Sequence, residues 1–417
     1  MDRRYGLRAA LSAAVQSSTQ YVRSTWLGEG LAYAKRWIVP IERKEGVLFI
    51  GYAEGNLGLG QCFRNDVRAA AHADLPFAIY PFRGGIESRL LGPFMPEHYD
   101  KTHAYDVNVI EVAPDQVPVV LSRVDSRLTH DTYNVLRTYW ELPSAPKAWA
   151  RMLKGINEIW VPNSFVGEAL RQVFTGPITV IPSTVEVGDG PWKTREELGL
   201  EPGRFYFLFS FDYFSSPYRK NPLAVLEAFE RAFPDGKENV GITLHSNGLV
   251  DRYSYIQKDI REASASDPRI NVSERSLSHH DMLSLIRASD AYVSLHRSEG
   301  FGMAMAEAMA FGRIVIGTNF SGNTDFLTEQ TGFPVPYTIR GVEAHEYHWA
   351  DAQVWAEPDL HAAASILRQV YDTPEHAKMR ADSGRKLIQH KYGAAQVGRA
   401  MKERLVNAGC SDRVCRD

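Results

Sequence analysis

The apolar residues of this chain occur in short runs that alternate with segments of helical periodicity. Val47–Ala53 is a continuous apolar run, typical of a strand buried on both faces. The glycine-rich stretch EGNLGLG follows at 54–60, then a helical pattern at 61–73 and a second apolar run at 75–82. This order predicts a strand–helix–strand unit of a parallel sheet. The pattern also predicts strands at 105–112, near 133–140, at 158–162 and at 178–182, and helices at 145–155 and 163–174.

A second cycle of the same kind begins after a polar, glycine-rich stretch at 183–203, which is typical of an interdomain linker. Two successive halves of this kind predict an α/β chain with two doubly wound domains facing a cleft. Ligands of such domains bind at the carboxyl ends of the strands. In the second half we predict strands at 205–214, 240–246, 269–274, 291–297 and 313–318, and helices at 221–234, 254–265, 278–290 and 303–312.

The length of 417 residues agrees with two domains, because one ordinary core does not grow to this size. We place a helical extension at 1–45, a first Rossmann-like domain at 46–185 and a second Rossmann-like domain at 195–390. A C-terminal helix and tail at 391–417 can cross back to the first domain.

The composition favours an intracellular globular protein. Apolar residues make up 44% and charged residues 23% of the chain. The net charge of −3 and the absence of a basic, aromatic-rich run argue against a nucleic-acid partner. No apolar run reaches the roughly 18 residues of a membrane span. Cys62, Cys410 and Cys415 are too few for a disulfide framework; we expect free thiols, the alternative being a small loop closed by the tail pair.

The first 45 residues carry eight Lys or Arg against four Asp or Glu, together with apolar residues at helical spacing. They predict one or two amphipathic helices. Two interpretations remain open, an extension packed on the first domain and a weak interfacial membrane anchor. We therefore expect a cytoplasmic protein, in the second case peripheral on the inner face of the cell membrane.

The stretch SEGFGMAMAEAMAFG, residues 298–312, contains the most informative pattern. It predicts a loop after a strand and then a helix, whose free amides and dipole form an anion site suited to phosphate. Glu299 lies at the loop and Glu307 one turn into the helix, with its side chain pointing back toward the helix start. Carboxylates accept paired hydrogen bonds from vicinal hydroxyls, so the pattern indicates a nucleotide sugar. The alternative is a helix N-terminal acid at Glu299 and an edge-exposed Glu307.

Arg219 and Lys220 follow the predicted strand at 205–214 and precede Asn221-Pro222, a helix start. Two cations at this position can neutralise a leaving diphosphate, although a surface pair of this kind is often simply solvated.

Other candidates lie at further strand ends. The glycines of EGNLGLG let backbone amides approach a ligand, but they lack the spacing of a dinucleotide site, so we expect a loop that closes on the other domain's ligand. Trp140 and Glu141 lie in a loop that could line the cleft, unless Trp140 fills the core. SGNTDF at 321–326 offers small polar groups after another strand.

Several motifs are absent from the sequence. No two aspartates are separated by one residue, so the D-x-D metal site of many sugar transferases is missing, and no Walker loop, G-x-S-x-G or H-E-x-x-H occurs. We expect no cofactor and no metal; a nucleotide sugar would be a substrate.

With these features the chain resembles retaining glycosyltransferases of the GT-B fold in family 4, the glycosyl transferases of group 1. The resemblance extends over about residues 47–340. It rests on the E-x7-E and EAMA-x-G pattern of 298–312, supported by YRKNP, by YNVLRTYWELP with INEIWVPNSF, and by SGNTDF. The WELP and SGNTDF variants resemble bacterial members that assemble surface polysaccharides and lipopolysaccharide. The implied fold is GT-B, with two Rossmann-like domains.

The resemblance also implies roles for individual residues. Glu299 would hold the donor sugar and Glu307 the ribose, while Lys220 with Arg219 would hold the diphosphate. The catalytic candidates are Glu299, Lys220, Arg219 and Glu141. Trp140 and His130 are candidates for residues that line the cleft. Further donor-binding candidates are Gly300, Phe301, Gly302, Met303, Gly58, Gly60 and Asn221, and further cleft candidates are Ser321, Gly322 and Asn323.

Two positions depart from the family pattern. The family has an Arg about six residues before the Lys, where this chain has Phe214, so Arg219 is the substitute. Many members have a first-domain His near the reacting sugar, where this chain has Trp140; His130 and Glu141 are the nearby alternatives.

The implied activity is that of a retaining, metal-independent hexosyltransferase. Its donor would be a nucleotide sugar, with GDP-mannose as the first candidate and UDP- and dTDP-sugars open. Its acceptor would be a glycan or a lipid-linked glycan. The alternatives are a GT-B-like sugar-nucleotide epimerase, for which we identify no acid and base residues, and an inactive nucleotide-sugar-binding scaffold subunit.

Overall fold

The computed structural model of the chain describes residues 41–86, 89–248 and 251–410. Residues 1–40 of the expected helical extension and the thiol of Cys415 therefore lie outside the described residues. Residues 43–45, also expected in that extension, are instead the start of the first strand, Arg43–Gly51. The chain divides into two compact units. Within the described residues, the first unit comprises 41–140, 144–184 and 394–410, and the second comprises 141–143 and 185–393.

The first unit is built on a parallel six-stranded sheet of order β2-β1-β3-β4-β5-β6. Residues 46–51 of β1, which lies between β2 and β3, are buried, as a continuous apolar run requires. The elements are β1 Arg43–Gly51, α1 Gly58–His72, β2 Phe77–Pro81, β3 Ala104–Glu111, α2 Val117–Arg123, α3 Ser126–Thr129, β4 Tyr133–Arg137, α4 Trp149–Met152, β5 Glu158–Val161, α5 Ser164–Arg171 and β6 Ile178–Val180.

The second unit contains a parallel sheet of order β12-β11-β10-β7-β8-β9 and a separate antiparallel pair, β13-β14. Its elements are β7 Phe205–Asp212, α6 Pro217–Lys220, α7 Pro222–Ala232, β8 Val240–Asn247, α8 Ser254–Ser266, β9 Ile270–Ser273, α9 His279–Ala288, β10 Ala291–Ser294, α10 Met303–Ala310, β11 Ile314–Thr318, β12 Phe333–Val335, β13 Tyr337–Gly341, β14 Val354–Pro358, α11 Leu360–Asp372 and α12 Pro374–Lys391.

The last helix, α13 (Ala394–Leu405), belongs to the first unit and packs against α1. Gly398 lies at the closest approach, where an added Cβ would overlap the backbone carbonyl of Ala69. A glycine is required because the two helix backbones approach each other there without a side chain between them.

The prediction of an α/β fold with two parallel sheets is confirmed. The hairpin of β13 and β14 was not predicted. In the part of the chain that the structure describes, no helix is long and apolar enough to cross a membrane.

Candidate active site

Two neighbouring strands of the second unit, β7 and β10, end at the same edge of the sheet. The segments that follow them are joined by several hydrogen bonds. The amide of Arg297 donates to the carbonyl of Arg219 at 2.8 Å, and the Asn221 side-chain amide donates to the carbonyl of Leu295 at 3.0 Å. Ser216 and Asn221, on either side of the one-turn helix α6, have left-handed backbones, with φ of 64° and 58°. This geometry turns α6 toward the loop that carries Glu299.

Glu299, Arg219 and Lys220 form a buried ion cluster at that edge. Oε2 of Glu299 lies 3.1 Å from Nη1 of Arg219, and Nζ of Lys220 donates to Oε1. Glu299 is 8% exposed and Arg219 is 3% exposed, so each charge needs a partner. Burial alone would raise the pKa of Glu299, but Lys220 and Arg219 outweigh it and hold the pKa at about 2. Glu299 is therefore a carboxylate at neutral pH.

Glu141 joins this cluster from the other side of Arg219. Its Oε1 lies 3.8 Å from Nη2 of Arg219, and the hydroxyl of Tyr347 donates to its Oε2 at 3.0 Å. The hydroxyl of Ser298 donates to the backbone carbonyl of Glu141. The sequence indicated Glu141 and the cations, but it gave no indication of Tyr347.

The adjacent Trp140 has a different environment. It is 2% exposed, its ring lies 4.6 Å from that of Trp149, and its indole N–H donates to the carbonyl of Ser144 at 2.9 Å. All three residues belong to the first unit. The environment of Trp140 is that of a core residue.

The turn after β11, residues Ser321–Asp325, holds the Glu299 loop in place. The amide of Glu299 donates to the hydroxyl of Ser321 at 2.7 Å, and the amide of Gly322 donates back to the carbonyl of Glu299 at 2.9 Å. These contacts use small polar residues of SGNTDF. The motif therefore fixes the backbone from which Glu299 projects.

Asn323 extends this support through His296, which sequence reasoning missed. Nε2 of His296 lies 3.0 Å from Oδ1 of Asn323, and the Asn323 amide donates to the carbonyl of Thr318 at 2.9 Å. Burial lowers the pKa of His296, so the ring is neutral at physiological pH. The only available signal was its position three residues before Glu299.

Helix α10 begins directly after this loop. Gly302 has a φ of 95°, and a Cβ there would lie 2.5 Å from Cε of Met305, which favours glycine. Phe301 is buried, with ring centroids 5.3 Å from Phe326 and 5.6 Å from Tyr392. A ligand at the helix start could therefore contact the backbone of Phe301 but not its side chain.

Glu307 lies one turn into α10 with an unsatisfied oxygen. It is 4% exposed, and within the described part of the chain its Oε1 accepts no hydrogen bond. Nε2 of His279, at the start of α9, lies 3.8 Å away. Burial raises the pKa of Glu307 from 4.5 to about 8. Since buried polar atoms are nearly always hydrogen-bonded, this carboxyl group is suited to a ligand hydroxyl.

The raised pKa predicts how stability depends on pH. A carboxyl whose folded pKa exceeds its unfolded pKa stabilises the protein below about pH 4.5, and this stability is lost as pH rises through about 8. Glu307→Gln stays neutral at every pH. We expect its free energy of unfolding, relative to that of wild type, to rise by on the order of 2 kcal/mol from pH 6 to pH 9. Urea unfolding of both proteins at the two pH values measures this. Parallel behaviour of the two proteins would contradict the buried neutral carboxyl.

Gly58, Gly60 and His130 are not part of this cluster and belong to the first unit. The two glycines begin α1; a Cβ on Gly60 would overlap the carbonyl of Gly55, whereas Gly58 faces open space. His130 is half exposed, lies 2.9 Å from Asp131 and precedes β4, at the amino ends of the strands. Their predicted roles stay predictions.

The structure holds no group of three or more His, Cys, Asp or Glu side chains placed to bind a metal ion, among the residues it describes.

The family model described as "Glycosyl transferases group 1" matches residues 192–340, which contain Arg219, Lys220, Glu299 and Glu307. A comparison with curated proteins gave no match.

Solved structures share the fold at low identity. Sucrose-phosphate synthase from Thermosynechococcus elongatus has a TM-score of 0.65 at 14% identity, covering 89% of this chain and 100% of that one. Anabaena HepE in complex with UDP and glucose has a TM-score of 0.64 at 13% identity, covering 87% and 100%. A glycosyltransferase from Rickettsia africae has a TM-score of 0.60 at 16% identity, covering 88% and 98%.

The two parallel six-stranded sheets thus form the GT-B fold. Residues 192–340 match the glycosyl transferases group 1 model, and the chain is an enzyme of the glycosyltransferase class.

Proposed function

We propose that this enzyme is a retaining hexosyltransferase that works without a metal ion on a glycan or lipid-linked glycan acceptor. The observation that carries the proposal is the buried Glu299–Arg219–Lys220 cluster beside the start of α10. In this assignment Arg219, Lys220 and the helix start bind the diphosphate, and Glu299 binds hydroxyls of the donor sugar. Glu307, with its unsatisfied oxygen, binds the ribose.

The cluster is suited to the departure of a diphosphate. The bond between the anomeric carbon and the phosphate oxygen breaks, and negative charge develops on the β-phosphate. Fixed cations in a buried site stabilise this charge, and two of them supply the neutralisation for which other enzymes use a divalent ion. The acceptor hydroxyl attacks from the face that the phosphate leaves and gives its proton to the departing phosphate oxygen. The anomeric configuration is thereby retained.

The proposed donor and product rest on two sequence variants and on one similar structure. The WELP and SGNTDF variants favour GDP-mannose and a surface polysaccharide or lipopolysaccharide product, whereas the complex of HepE contains UDP. We assign acceptor binding to the first unit and place the reaction on the cytoplasmic face of the membrane, with residues 1–45 as the membrane contact.

A thermal-shift panel of nucleoside diphosphates and nucleotide sugars tests donor binding. A ligand at 100 times its dissociation constant raises the free energy of unfolding by about 2.7 kcal/mol. We expect one base to stabilise the protein strongly and Glu307→Ala to lose most of that shift, because the ribose contact is removed. A panel in which no compound stabilises the wild type would contradict the proposal.

Lys220→Met should lower kcat by about 100-fold or more, because a cation that stabilises the leaving group is removed. Lys258→Met on α8 is the matched control, since the Lys258 side chain is 72% exposed and its ion pair with Glu262, at 3.5 Å, lies on the surface. Release of nucleoside diphosphate measures both. Equal rates in the two variants would rule out the assigned role of Lys220.

A further inference from the structure

The loop between β13 and β14 places the side chain of Tyr347 against Arg219, and the proposed function gives Tyr347 no role. The loop at 342–353 is anchored beside α6, because the hydroxyl of Ser216 donates to the carbonyl of Glu346 at 2.7 Å. Arg340 of β13 binds the Glu346 carboxylate through two hydrogen bonds of 2.8 and 2.7 Å. The next residue of this loop is Tyr347.

Tyr347 contacts the ion cluster in two ways. Its ring lies under the guanidinium of Arg219, with the central carbon 5.9 Å from the ring centroid. Its hydroxyl donates to Oε2 of Glu141 at 3.0 Å, and the other oxygen of Glu141 faces Nη2 of Arg219 at 3.8 Å. Nη1 of the same guanidinium faces Glu299 at 3.1 Å. Arg219 thus lies between two carboxylates, one facing each terminal nitrogen, and over an aromatic ring. Its Nε and Nη1 also donate to the carbonyls of Ser215 at 3.2 Å and Ser298 at 2.9 Å, so Glu141 is the carboxylate that faces Nη2.

We propose that Tyr347 is a positioning residue, which holds Glu141 so that Glu141 fixes the guanidinium plane of Arg219 for the diphosphate. The inference rests on the proposed function and deepens it. Without Glu141 the guanidinium would turn toward the single remaining carboxylate, Glu299, and Glu299 would lose freedom to bind the sugar. Glu141 on this account acts through Arg219 and does not touch the reacting atoms.

The hydroxyl of Tyr347 is dispensable for the hairpin itself. Five backbone pairs join β13 to β14, and Glu357 bridges Arg297 and Arg340, with the shortest N–O distances to each arginine 2.8 and 2.6 Å. These contacts remain when only the hydroxyl is removed. Tyr347→Phe therefore separates positioning from folding.

The test is a double-mutant cycle with Tyr347→Phe, Glu141→Gln and both together. We expect each single variant to lower kcat by about 10-fold, since a misplaced catalytic group costs rate rather than ground-state binding. The double variant should be no slower than either single variant, because both changes break one chain of contacts. The dissociation constant of the nucleoside diphosphate should change by less than about 3-fold. Tyr337→Phe is the control, since this partly exposed tyrosine of the same hairpin packs its ring against Phe320, 5.2 Å away.

Two results would overturn the inference while leaving the proposed function intact. One is a Tyr347→Phe variant with wild-type kcat; the other is a double variant in which the two losses multiply. A wild-type protein that neither binds nor turns over any nucleotide sugar is a different result. It would remove the proposed function, and this inference with it.

Discussion

Glu299→Ala should lower the rate of sugar transfer by about 1,000-fold. Glu299 is the buried carboxylate on which Arg219 and Lys220 converge, and its pKa of about 2 keeps it charged at any working pH. On the proposed assignment the variant loses both the contact to the donor sugar and the group that orients the two cations. Preorganised electrostatic contacts of this kind account for about 100- to 1,000-fold each.

Steady-state release of nucleoside diphosphate measures the effect. Glu299→Gln separates the charge from the shape of the side chain and should be almost as slow. Glu375→Ala is the matched control, because this carboxylate is 84% exposed and pairs with Lys378 on the surface of α12. Turnover of Glu299→Ala within about 10-fold of wild type would show that Glu299 does not have the catalytic role assigned to it.

Arg137→Met should destabilise the first unit by about 3–5 kcal/mol. Arg137 and Asp66 are buried at 0% and 1% side-chain exposure, with Nε of Arg137 2.8 Å from Oδ2 of Asp66. Nη1 of Arg137 also donates to the carbonyl of Ile181 at 2.6 Å. Removing one partner of a buried pair leaves the other as an uncompensated charge, which accounts for the size of the effect.

Urea unfolding followed by a probe in the first unit measures this loss. Arg171→Met, at the exposed end of α5, removes the same charge from the surface and should have little effect. If the two variants unfold at the same urea concentration, the Arg137–Asp66 pair does not stabilise the unit as described.

The parallel sheets could be predicted because most of their strands are buried on both faces and are therefore continuous apolar runs in the sequence. The hairpin could not, because β13 is almost wholly exposed and its sequence YTIRG has no apolar period. Its stability comes from Arg340, Glu346 and Glu357, which only the folded chain brings together.

The candidate site was predicted where its residues belong to a recognisable sequence motif and was missed at His296 and Tyr347, which belong to none. Glu299 and Glu307 share one motif, and the alternative of an edge-exposed Glu307 does not agree with its 4% exposure. Tyr347 lies 206 residues from Glu141, so no local pattern could connect them. Trp140 and Glu141 were both candidates from one loop, with a core position left open for Trp140, and the two adjacent side chains have different surroundings.

Slow donor hydrolysis by the wild-type protein is the most direct test of the account. GDP-mannose and UDP-glucose, followed by proton NMR without an acceptor, report both cleavage and the anomeric form of the sugar first released. The account predicts release of nucleoside diphosphate and a sugar with the donor's configuration, and loss of both signals in Glu299→Ala. Tight donor binding with no cleavage, even after an acceptor extract is added, would contradict it and indicate a nucleotide-sugar-binding scaffold.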